Sequence, residues 1–463
     1  MDEFEKSVYS ALNSIQRVIP VMSEFSHKYH NSHLSIATSD CLHLLDSTLN
    51  LLEWSLTIVQ NPKVKDYGTG DVTADLKTWL SATLSNQATC MEELEDTNHQ
   101  IAKKEVEATM NQVTIILRGL LSSVINFHST RLLTNWVKPK TFIAIDKSNA
   151  NVTVAADGSG TYTKIMDAIT NAPKRSNNRY VIHIKTGSYR EQVQVNYELW
   201  NIAMVGDGIG KTIITGDHSN TSGYPISQSA TFGVDGQKFV AINITFENTA
   251  GEVGKQAVAL RSGADQSIFY GCEINGHQDT LYAQINRQFY RECTITGTVD
   301  FICGDGTVVF QDCKILTRQR QLPGMQNTIT AQKREDPNGA SGFSFDMCTI
   351  TGDSALIKSK SRTQTFLGRP WGRYSRVVFM QSILSDVIDP TGWLPWFTGY
   401  ESTVYYAEYN NNGPGSDVIK RVKWPGIHVI DKNTAVQFTV SQFIQGDSFI
   451  GSSNISYTGG LQL

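Results

Sequence analysis

The sequence predicts an all-α helical bundle followed by an all-β domain, a right-handed parallel β-helix. Three observations support this fold class. Leucines recur at helical spacing near the start, and the texture changes near residue 150 to short β-branched and aromatic runs broken by Gly and Asn. A strand-like signature then repeats about every 20 residues. We therefore predict a bundle over residues 1–127, a linker over 128–149 and a β-helix over 150–463.

The helical part is predicted from amphipathic runs. The stretch SDCLHLLDSTLNLLEWSLTIVQ (39–60) has apolar residues at helical spacing, and Ser39 or Asp40 is the expected N-cap. Residues 71–94 and 113–127 repeat the pattern. Two cysteines fall on successive predicted helices and could be bridged, although spacing alone does not prove a disulfide. They are Cys41 and Cys90, and the leucines of the first run are Leu42, Leu45, Leu49, Leu52 and Leu56.

Four stretches of the β part share an aromatic residue, a cysteine three positions later and an isoleucine two positions after that. A period near 20 indicates a solenoid, because each coil buries its inward face only against its neighbours. Coils stack about 4.8 Å apart, so equivalent side chains form ladders, and the cysteines are mostly core residues. Cys313–Cys348 is a candidate bridge. The sets are Phe269/Cys272/Ile274, Tyr290/Cys293/Ile295, Phe310/Cys313/Ile315 and Phe345/Cys348/Ile350, and Phe239/Ile242/Ile244 fits the same frame.

Composition limits the classes of function. The formal net charge of −4 argues against a general nucleic-acid binder, and no run approaches the roughly 18 apolar residues of a membrane span. The seven cysteines form no CxxC pair or Cys/His cluster, so no metal site is predicted. Four Asn-x-Ser/Thr sequons favour a secreted glycoprotein whose signal peptide is missing from this chain, since the start MDEFEKSVYS lacks the features of one. The sequons are at Asn151, Asn220, Asn243 and Asn454.

Two aspartates occupy the same position in successive repeats. Asp279 follows Cys272 by seven residues, and Asp300 follows Cys293 by seven. The ladder therefore predicts that the two carboxylates face the same way, about one strand spacing apart. Carboxylates this close repel, and one is expected to hold its proton while the other ionises. Such a pair gives a solenoid no structural benefit and points to catalysis. The alternative is two solvated turn residues.

Amides and a basic run accompany these aspartates. Gln278 precedes Asp279, and Gln256 in KQAVALR comes about one coil earlier. An amide donor can stabilise an oxyanion without neutralising a carboxylate nucleophile. The run KSKSRTQTFLGRPWGRYSR (358–376) has six basic residues and no acid. The run is either a solvated face or part of the site. In the second case one of its arginines pairs with a carboxylate, and the ring of Trp371 stacks on a sugar.

Two other catalytic motifs are not supported. GDGIGKT lacks the first glycine of a Walker A loop and is interpreted as a turn between coils, and no GxSxG elbow occurs.

Five motifs occur in order along the β part, namely GSYREQV (187–193), QAVALR (256–261), GHQDTLYA (276–283), GTVDFICGDG (297–306) and LGRPWGRYSR (367–376). Together they resemble the plant pectin methylesterases (pectinesterases) from about residue 150 to the C-terminus. Through SDCLHLLD and TWLSATLSNQATC, the helical part is similar to the inhibitor-like pro-region of that family, shortened at its front. TRLL (130–133) resembles the processing motif between the two halves, with one arginine only.

The resemblance implies a role for each catalytic candidate. Asp300 is then the nucleophile, and Asp279 is the general acid and afterwards the general base. Gln256 and Gln278 hold the oxyanion, while Arg369 pairs with Asp300 and keeps it ionised. The implied reaction is hydrolysis of the methyl esters of pectin (homogalacturonan) to pectate and methanol through an acyl-enzyme, in cell wall modification, without metal or cofactor.

The resemblance also implies how the substrate is held. The residues expected to contact the sugar chain are Gln256, Arg369, Trp371 and Tyr282. Two positions depart from the family pattern: Cys303 stands where an aromatic residue is usual, and Ile226 stands where a threonine is more common. Both are expected to affect substrate subsites and not the catalytic set.

Other functions are separable by their chemistry. A polygalacturonase or pectate lyase shares the β-helix and the substrate, but would need its own carboxylate cluster or an acidic Ca²⁺ site. A non-catalytic pectin-binding or inhibitor protein would have an incomplete catalytic set. The helical half either restrains the enzyme until a protease cuts near Arg131, or acts as a folding or retention domain. The expected location is the cell wall.

Overall fold

The structure is a computed structural model that describes residues 2–29, 33–62, 64, 67–95, 100–124, 145–321, 324–359 and 362–462. It divides into two compact units. One comprises Met1–Lys138, Gly223–Gln228 and Glu335–Ser341, and the other comprises Pro139–Ser222, Ser229–Arg334 and Gly342–Leu463. Most of the predicted linker over 128–149 lies outside the described residues, so the predicted domain boundaries and processing site stay predictions.

Long helices build the first unit, and short helices occur in the second. The α-helices are α1 (Asp2–Lys28), α2 (His33–Gln60), α3 (Val72–Glu95), α4 (Gln100–Val124), α5 (Ile165–Thr170), α6 (Ser354–Lys358), α7 (Lys432–Ala435) and α8 (Val440–Phe443). Helix α2 packs against α1 and α3, and α4 packs against the same two helices. The predicted helical bundle is confirmed. None of the helices in the described ranges is long and apolar enough to cross a membrane.

The disulfide and the start of α2 test two sequence predictions. Cys41 in α2 and Cys90 in α3 are buried and bonded to each other, so this predicted bridge is confirmed. The predicted cap is wrong, because α2 begins before Ser39 and Asp40. The Asp40 carboxylate has different partners within the first unit. It accepts hydrogen bonds from Ser227 Oγ (2.7 Å) and Gln228 Nε2 (2.6 Å), which satisfy a buried charge in mid-helix.

Short strands build the second unit. In chain order they are β1 (Val152–Val154), β2 (Tyr180–Ile184), β3 (Gly187–Arg190), β4 (Val193–Val195), β5 (Ile202–Gly206), β6 (Thr212–Gly216), β7 (Phe232–Val234), β8 (Val240–Ile242), β9 (Thr245–Asn248), β10 (Leu260–Ser262), β11 (Ser267–Tyr270), β12 (Glu273–Asn275), β13 (Leu281–Ala283), β14 (Arg287–Arg291), β15 (Thr294–Gly297), β16 (Ile302–Gly304), β17 (Thr307–Gln311), β18 (Lys314–Thr317), β19 (Asn327–Gln332), β20 (Gly342–Asp346), β21 (Thr349–Gly352), β22 (Thr365–Gly368), β23 (Arg376–Met380), β24 (Ile383–Leu384), β25 (Tyr405–Tyr409) and β26 (Ile427–Val429).

The strands form three sheets whose neighbouring strands come from successive coils. One sheet has eleven strands in the order β1-β2-β5-β8-β11-β14-β17-β20-β23-β25-β26, and another has eight in the order β24-β21-β18-β15-β12-β9-β6-β3. The third has seven in the order β22-β19-β16-β13-β10-β7-β4, and it carries the site discussed below. Neighbouring strands are parallel. This arrangement confirms the parallel β-helix. The turn GDGIGKT joins β5 to β6, as interpreted from the sequence.

Ladders of like side chains fill the interior, as the repeat predicts. The signature isoleucines pair in register along β12, β15, β18 and β21. The signature aromatic rings stack between coils, with centroids 4.5–4.9 Å apart over the five rings Phe269, Tyr290, Phe310, Phe345 and Phe379. Close offset stacking adds to the hydrophobic gain of burying these rings. The period read from the sequence therefore sets the register of the core.

The fifth predicted repeat is displaced by two residues. Ala241, not Phe239, pairs with Phe269 in the next coil, so the frame Phe239/Ile242/Ile244 is wrong. Strand side chains alternate between faces, and an even shift leaves Phe239 in the interior. Ile242 instead faces outward and packs with C-terminal residues such as Val440. A β-branched residue fits either face, which is why composition did not reveal the shift.

The signature cysteines are buried thiols. Cys272, Cys293, Cys313 and Cys348 are free, so the candidate bridge Cys313–Cys348 is wrong. Each thiol lies against a backbone carbonyl of a neighbouring coil; for example, Cys348 Sγ is 3.3 Å from the carbonyl oxygen of Phe310. These cysteines act as small core residues, which is the main interpretation made from the sequence.

Asp346 is a fully buried carboxyl at the end of β20. Its Oδ2 accepts a hydrogen bond from Gln311 Nε2 (2.9 Å), whereas Oδ1 is buried without a partner among the described residues. Burial raises the pKa of Asp346 from 3.8 to about 6, against the opposing effect of the Gln311 hydrogen bond. Ionisation of this group therefore works against folding at neutral pH.

We expect Asp346→Asn to flatten the pH dependence of stability. A carboxyl with a raised folded-state pKa stabilises the fold below its unfolded pKa of 3.8, and that contribution is lost as pH rises through about 6. The wild-type free energy of unfolding should fall across this window by up to about 3 kcal/mol more than that of the variant. Thermal or denaturant unfolding of both proteins at several pH values measures this difference. Asp386→Asn, which removes an exposed carboxylate, should leave the wild-type slope unchanged.

Candidate active site

The two aspartates predicted from the repeat lie in neighbouring coils of the seven-stranded sheet. Asp279 stands two residues before Leu281 of β13, and Asp300 stands two residues before Ile302 of β16. Leu281 pairs with Ile302, so the aspartates occupy equivalent positions, as their common offset predicts. Both have left-handed backbones, with φ of 58° and 53°. Non-glycine residues seldom adopt this conformation, and strained residues of this kind cluster at functional sites.

Asp300 is held by three donors. The guanidinium of Arg369, just after β22, pairs with it through both oxygens: Nε is 2.8 Å from Oδ1 and Nη2 is 2.5 Å from Oδ2. Thr328 Oγ1 donates to Oδ1 at 2.6 Å and accepts from the Asp300 backbone N–H at 2.9 Å. Asp300 is only 3% exposed. Burial removes the hydration of a carboxylate, and hydrogen bonds from partners of this kind compensate for that loss.

Asp279 has the opposite environment. It is 6% exposed, and its side chain has no hydrogen-bond partner among the described residues. Burial is the main cause that raises the pKa of Asp279 well above its ordinary value. The negative charge of Asp300 raises it further, while Arg369 opposes the shift. The site therefore places a carboxylate held by an arginine and a hydroxyl beside a carboxyl group whose neutral form is favoured, and contrasting environments of this kind can separate the roles of two titratable groups.

Two glutamine amides lie beside the aspartates. Gln256 and Gln278 form an isolated parallel bridge between successive coils, so the coil relation predicted from the sequence is observed. Neither side chain has a hydrogen-bond partner in the described part of the chain, and Gln256 Oε1 is buried. Amide N–H groups with no protein acceptor can donate to an incoming oxygen, as an oxyanion site requires.

Aromatic rings flank the charged cluster. The ring of Trp371 lies 6.3 Å from that of Tyr282 and is nearly parallel to that of Trp396, with an interplanar angle of 12° and a centroid distance of 6.4 Å. The Arg369 guanidinium lies over Trp396, 4.2 Å from its centroid, and Lys333 Nζ lies over Trp371 at 4.5 Å. Cation–π contacts of this kind hold both the rings and the cations in place.

The two departures from the family pattern fall in different units. Cys303 of β16 pairs with Tyr282 and is buried. Burial is the main cause that raises the pKa of the Cys303 thiol well above its ordinary value, and the nearby Asp300 charge raises it further, so Cys303 is not a thiolate nucleophile. Ile226 belongs to the first unit.

Sequence reasoning missed three residues of this site. Thr328, Trp396 and Lys333 were not singled out. Thr328 lies within β19 and Lys333 directly follows that strand, in the coil after Asp300, but a connection longer than the usual period precedes β19, so counting repeats does not lead to them. The second tryptophan of GWLPW was the only signal for Trp396. The described residues contain no group of three or more His, Cys, Asp or Glu side chains that could hold a metal ion.

Comparison with known proteins identifies the family. The Pectinesterase family model matches residues 151–447. The chain belongs to the pectinesterase family. Residues 4–125 of this pectinesterase match a second model, the plant invertase/pectin methylesterase inhibitor. The recognition made from motifs in the sequence is therefore confirmed for both parts of the chain.

Relatives and solved structures agree with this assignment. The pectinesterase/pectinesterase inhibitor PPE8B of Prunus persica is 46% identical over 465 residues, which cover 98% of this chain and 89% of the relative. The structure of the pectin methylesterase from carrot is 45% identical, with a TM-score of 0.67 over 68% of this chain and 99% of that one. A pectin methylesterase in complex with a hexasaccharide is 25% identical, with a TM-score of 0.53 over 68% of this chain and 99% of that one.

Replacement of Thr328 tests whether its hydroxyl positions Asp300. Thr328→Val keeps the shape of the buried side chain but removes both hydrogen bonds, so we expect kcat to fall about tenfold or more. Thr328→Ser should retain most of the activity because it keeps the hydroxyl. Thr330→Val removes a buried hydroxyl that bonds the Leu367 carbonyl and serves as the matched control. An equal loss of kcat in both valine variants would mean that the effect is one of strand packing.

Proposed function

We propose that this pectinesterase hydrolyses the methyl esters of pectin with Asp300 as nucleophile and Asp279 as acid and base. The observation that carries the assignment is the contrast between the two carboxyl groups. Arg369 and Thr328 hold Asp300 as an oriented anion, whereas burial and the Asp300 charge keep the proton on Asp279. Two adjacent coils thus supply the nucleophile and the proton donor, and no rearrangement of the chain is needed to bring them together.

The first half-reaction forms an acyl-enzyme. A carboxylate oxygen of Asp300 attacks the ester carbonyl carbon, and the carbonyl oxygen becomes an oxyanion to which the Gln256 and Gln278 amides donate. The C–O bond to the methoxy group then breaks, and Asp279 delivers its proton so that methanol leaves. The sugar carboxyl is now joined to Asp300 as an anhydride, and Asp279 is left as a carboxylate.

The second half-reaction restores the enzyme. Asp279 takes a proton from water as the water oxygen attacks the sugar carbonyl of the anhydride. The bond to Asp300 breaks, and Asp300 returns to its pairing with Arg369. The products are the free carboxylate of the sugar, methanol and one proton, so the atoms and charges balance with water as the only co-substrate.

The aromatic side chains suit a carbohydrate polymer. Trp371 is partly exposed and presents ring surface at the site, with the buried Tyr282 ring 6.3 Å from it, and sugar rings pack well against aromatic faces. The hexasaccharide complex of a relative supports an oligosaccharide-sized cleft for pectin. We assign Trp371, Tyr282, Gln256 and Arg369 to substrate contact.

Methanol release by the full-length chain tests this function. Pectin should give methanol without a matching rise in reducing ends or unsaturated ends, because the reaction leaves the polymer backbone intact. Reducing ends would indicate a polygalacturonase and unsaturated ends a lyase. Pectin binding without any product, before and after proteolytic cleavage between the two halves, would favour a non-catalytic binding or inhibitor protein.

We also propose that the inhibitor-like part restrains the esterase within one chain. A tether holds an inhibitor at an effective concentration in about the mM range, so weak contacts suffice. If this is correct, cutting the chain near Arg131 should raise pectin turnover at constant enzyme concentration. Equal turnover by the intact and the cut chain would instead leave the helical part a role in folding or retention.

Secretion to the cell wall is the location we propose. The four sequon asparagines are exposed, so glycans could be attached without unfolding, and the Cys41–Cys90 disulfide suits an oxidising compartment. Protein purified from plant walls should lose mass when N-linked glycans are removed enzymatically. Retention of an epitope-tagged full-length precursor inside the cell would contradict this location.

A further inference from the structure

A buried ion pair joins two turns of the β-helix that come from different coils. The Glu252 carboxylate accepts hydrogen bonds from Arg320 Nε (2.6 Å) and from the backbone N–H of Gln321 (3.0 Å). The side chains of Glu252 and Arg320 are only 8% and 6% exposed. Against the effect of burial, the hydrogen bonds from Gln321 and Arg320 hold the pKa of Glu252 below its ordinary value. The pair is therefore ionised at neutral pH.

The ion pair spans the turns that carry the two aspartates. Glu252 lies between β9 and β10, and Arg320 lies between β18 and β19. In the eight-stranded sheet, β12 and β15 separate β9 from β18, so the two backbones lie three strand spacings apart, roughly 14 Å. The turns that follow β12 and β15 carry Asp279 and Asp300. Burial is the main cause that lowers the pKa of His277 in the first of these turns, and Glu252 and Arg320 shift it in opposite directions. The pair therefore lies alongside the catalytic turns.

The turn that Glu252 anchors ends at Gln256, the amide assigned to the oxyanion. Residues Glu252–Gly254 form one turn of 3₁₀-helix, and Lys255 after it has a positive φ of 58°. The next residue, Gln256, forms the bridge to Gln278 in the following coil. A lysine seldom adopts a positive φ, so contacts from outside the turn have to hold this backbone shape. The pairing of Glu252 with Arg320 is such a contact.

We propose that Glu252 and Arg320 are positioning residues, whose ion pair fixes the turn before Gln256 and so aims the Gln256 amide at the oxyanion. This inference rests on the proposed function. The oxyanion forms only when the ester carbon is attacked, so a misdirected amide weakens the transition state more than it weakens substrate binding. Loss of the pair should therefore lower kcat and leave KM nearly unchanged.

A purely structural ion pair is the competing explanation. Breaking such a pair lowers stability, because the remaining buried charge loses its partner, but the folded variant would turn over pectin normally. Glu408 and Arg421 form a pair of the same chemistry in which Arg421 Nε donates to Glu408 Oε1 at 2.7 Å, and both side chains are buried. Glu408 belongs to β25 of the eleven-stranded sheet, which contains none of the catalytic candidates. Glu408→Gln is therefore the matched control.

Steady-state methanol release by the full-length chain separates the two explanations. We expect Glu252→Gln to lower kcat about tenfold and to change KM by less than about twofold. Arg320→Gln should cause a similar loss, and the double variant should lose no more than either single variant, because the two side chains act as a unit. Glu408→Gln should keep the wild-type kcat even where its melting temperature falls. A wild-type kcat in Glu252→Gln would overturn the proposal.

A double-mutant comparison tests whether the pair acts through Gln256. Gln256→Ala should itself lower kcat about a hundredfold, the scale of one lost oxyanion donor. In that background Glu252→Gln should cost less than about twofold more, because no amide remains to be aimed. An equal factor in both backgrounds would overturn the proposal. A wild-type kcat in Gln256→Ala would instead remove Gln256 from the proposed function, and the positioning role of Glu252 and Arg320 would fall with it.

Hydrogen exchange supplies a readout independent of turnover. The backbone N–H of Ala257 donates to the Gln278 carbonyl at 3.2 Å, and its exchange reports how firmly the end of the turn is held. Exchange at Ala257 should be faster in Glu252→Gln and unchanged in Glu408→Gln. Unchanged exchange in Glu252→Gln would overturn the proposal. If the wild-type chain released no methanol, the proposed function would fail, whereas faster exchange would still show that the pair holds the turn before Gln256.

Discussion

Asp300→Asn is expected to abolish methanol release while the fold survives. An amide cannot form the anhydride, so the loss should reach several orders of magnitude in kcat. Asparagine tolerates the left-handed backbone that Asp300 adopts, with φ of 53°, and it can still accept from Thr328. Arg369 loses its charged partner in this variant, but its side chain is partly exposed to water and keeps its contact over Trp396. We therefore expect a melting temperature within a few degrees of wild type.

The matched control for Asp300→Asn is Asp312→Asn. Asp312 is another left-handed aspartate in a turn between strands, with φ of 54°, but its carboxylate is exposed and pairs with Arg291. Its replacement should leave methanol release near the wild-type rate. Activity above about a tenth of wild type in a correctly folded Asp300→Asn chain would remove Asp300 from the role of nucleophile.

Arg369 should not be replaceable by lysine. Its guanidinium reaches both carboxylate oxygens of Asp300 through Nε and Nη2 and also stacks over Trp396. Lysine offers a single point of charge and cannot copy the planar fork. Arg369→Ala and Arg369→Lys should both lower kcat by about a hundredfold or more, because a nucleophile displaced by about an ångström reacts far more slowly.

Arg362→Lys provides the comparison within the same basic run. Arg362 is partly exposed and bonds Asp386 through one nitrogen, so a lysine can replace that contact. Its kcat should stay close to wild type. Full activity in Arg369→Lys would show that charge alone matters at this position, and the geometric argument would then be wrong.

The sequence predicted those parts of the site that follow the repeat. Asp279 and Asp300 lie at a constant offset from the signature cysteines, and constant offsets become aligned positions in a stacked coil. Arg369 could be predicted because it lies in a basic run without acids. The resemblance to the family implied that this arginine pairs with Asp300, whereas the basic run alone does not distinguish it from Arg362, because the turn after β22 decides which arginine reaches Asp300.

Prediction failed where the repeat is interrupted or ambiguous. Thr328 belongs to the next coil after Asp300, but a longer connection precedes its strand, so no fixed offset leads to it. Trp396 comes from a loop after β24, whose path has no periodic pattern. The frame at Phe239 was ambiguous because isoleucine suits either face of a strand, and only the pairing of Ala241 with Phe269 fixes the register.

The parallel pairing of the seven-stranded sheet has a consequence for how such an enzyme can diversify. Leu281 pairs with Ile302, and Thr330 pairs with Gly368, although the chain between the second pair is almost twice as long. Hydrogen bonding between strands fixes the spacing of the coils whatever the length of the turns. Insertions can therefore accumulate in the turns and reshape the cleft while the distance from acid to nucleophile stays constant. Enzymes that share this β-helix can therefore differ in the polymer that they bind while they keep the same pair of carboxyl groups and the same reaction.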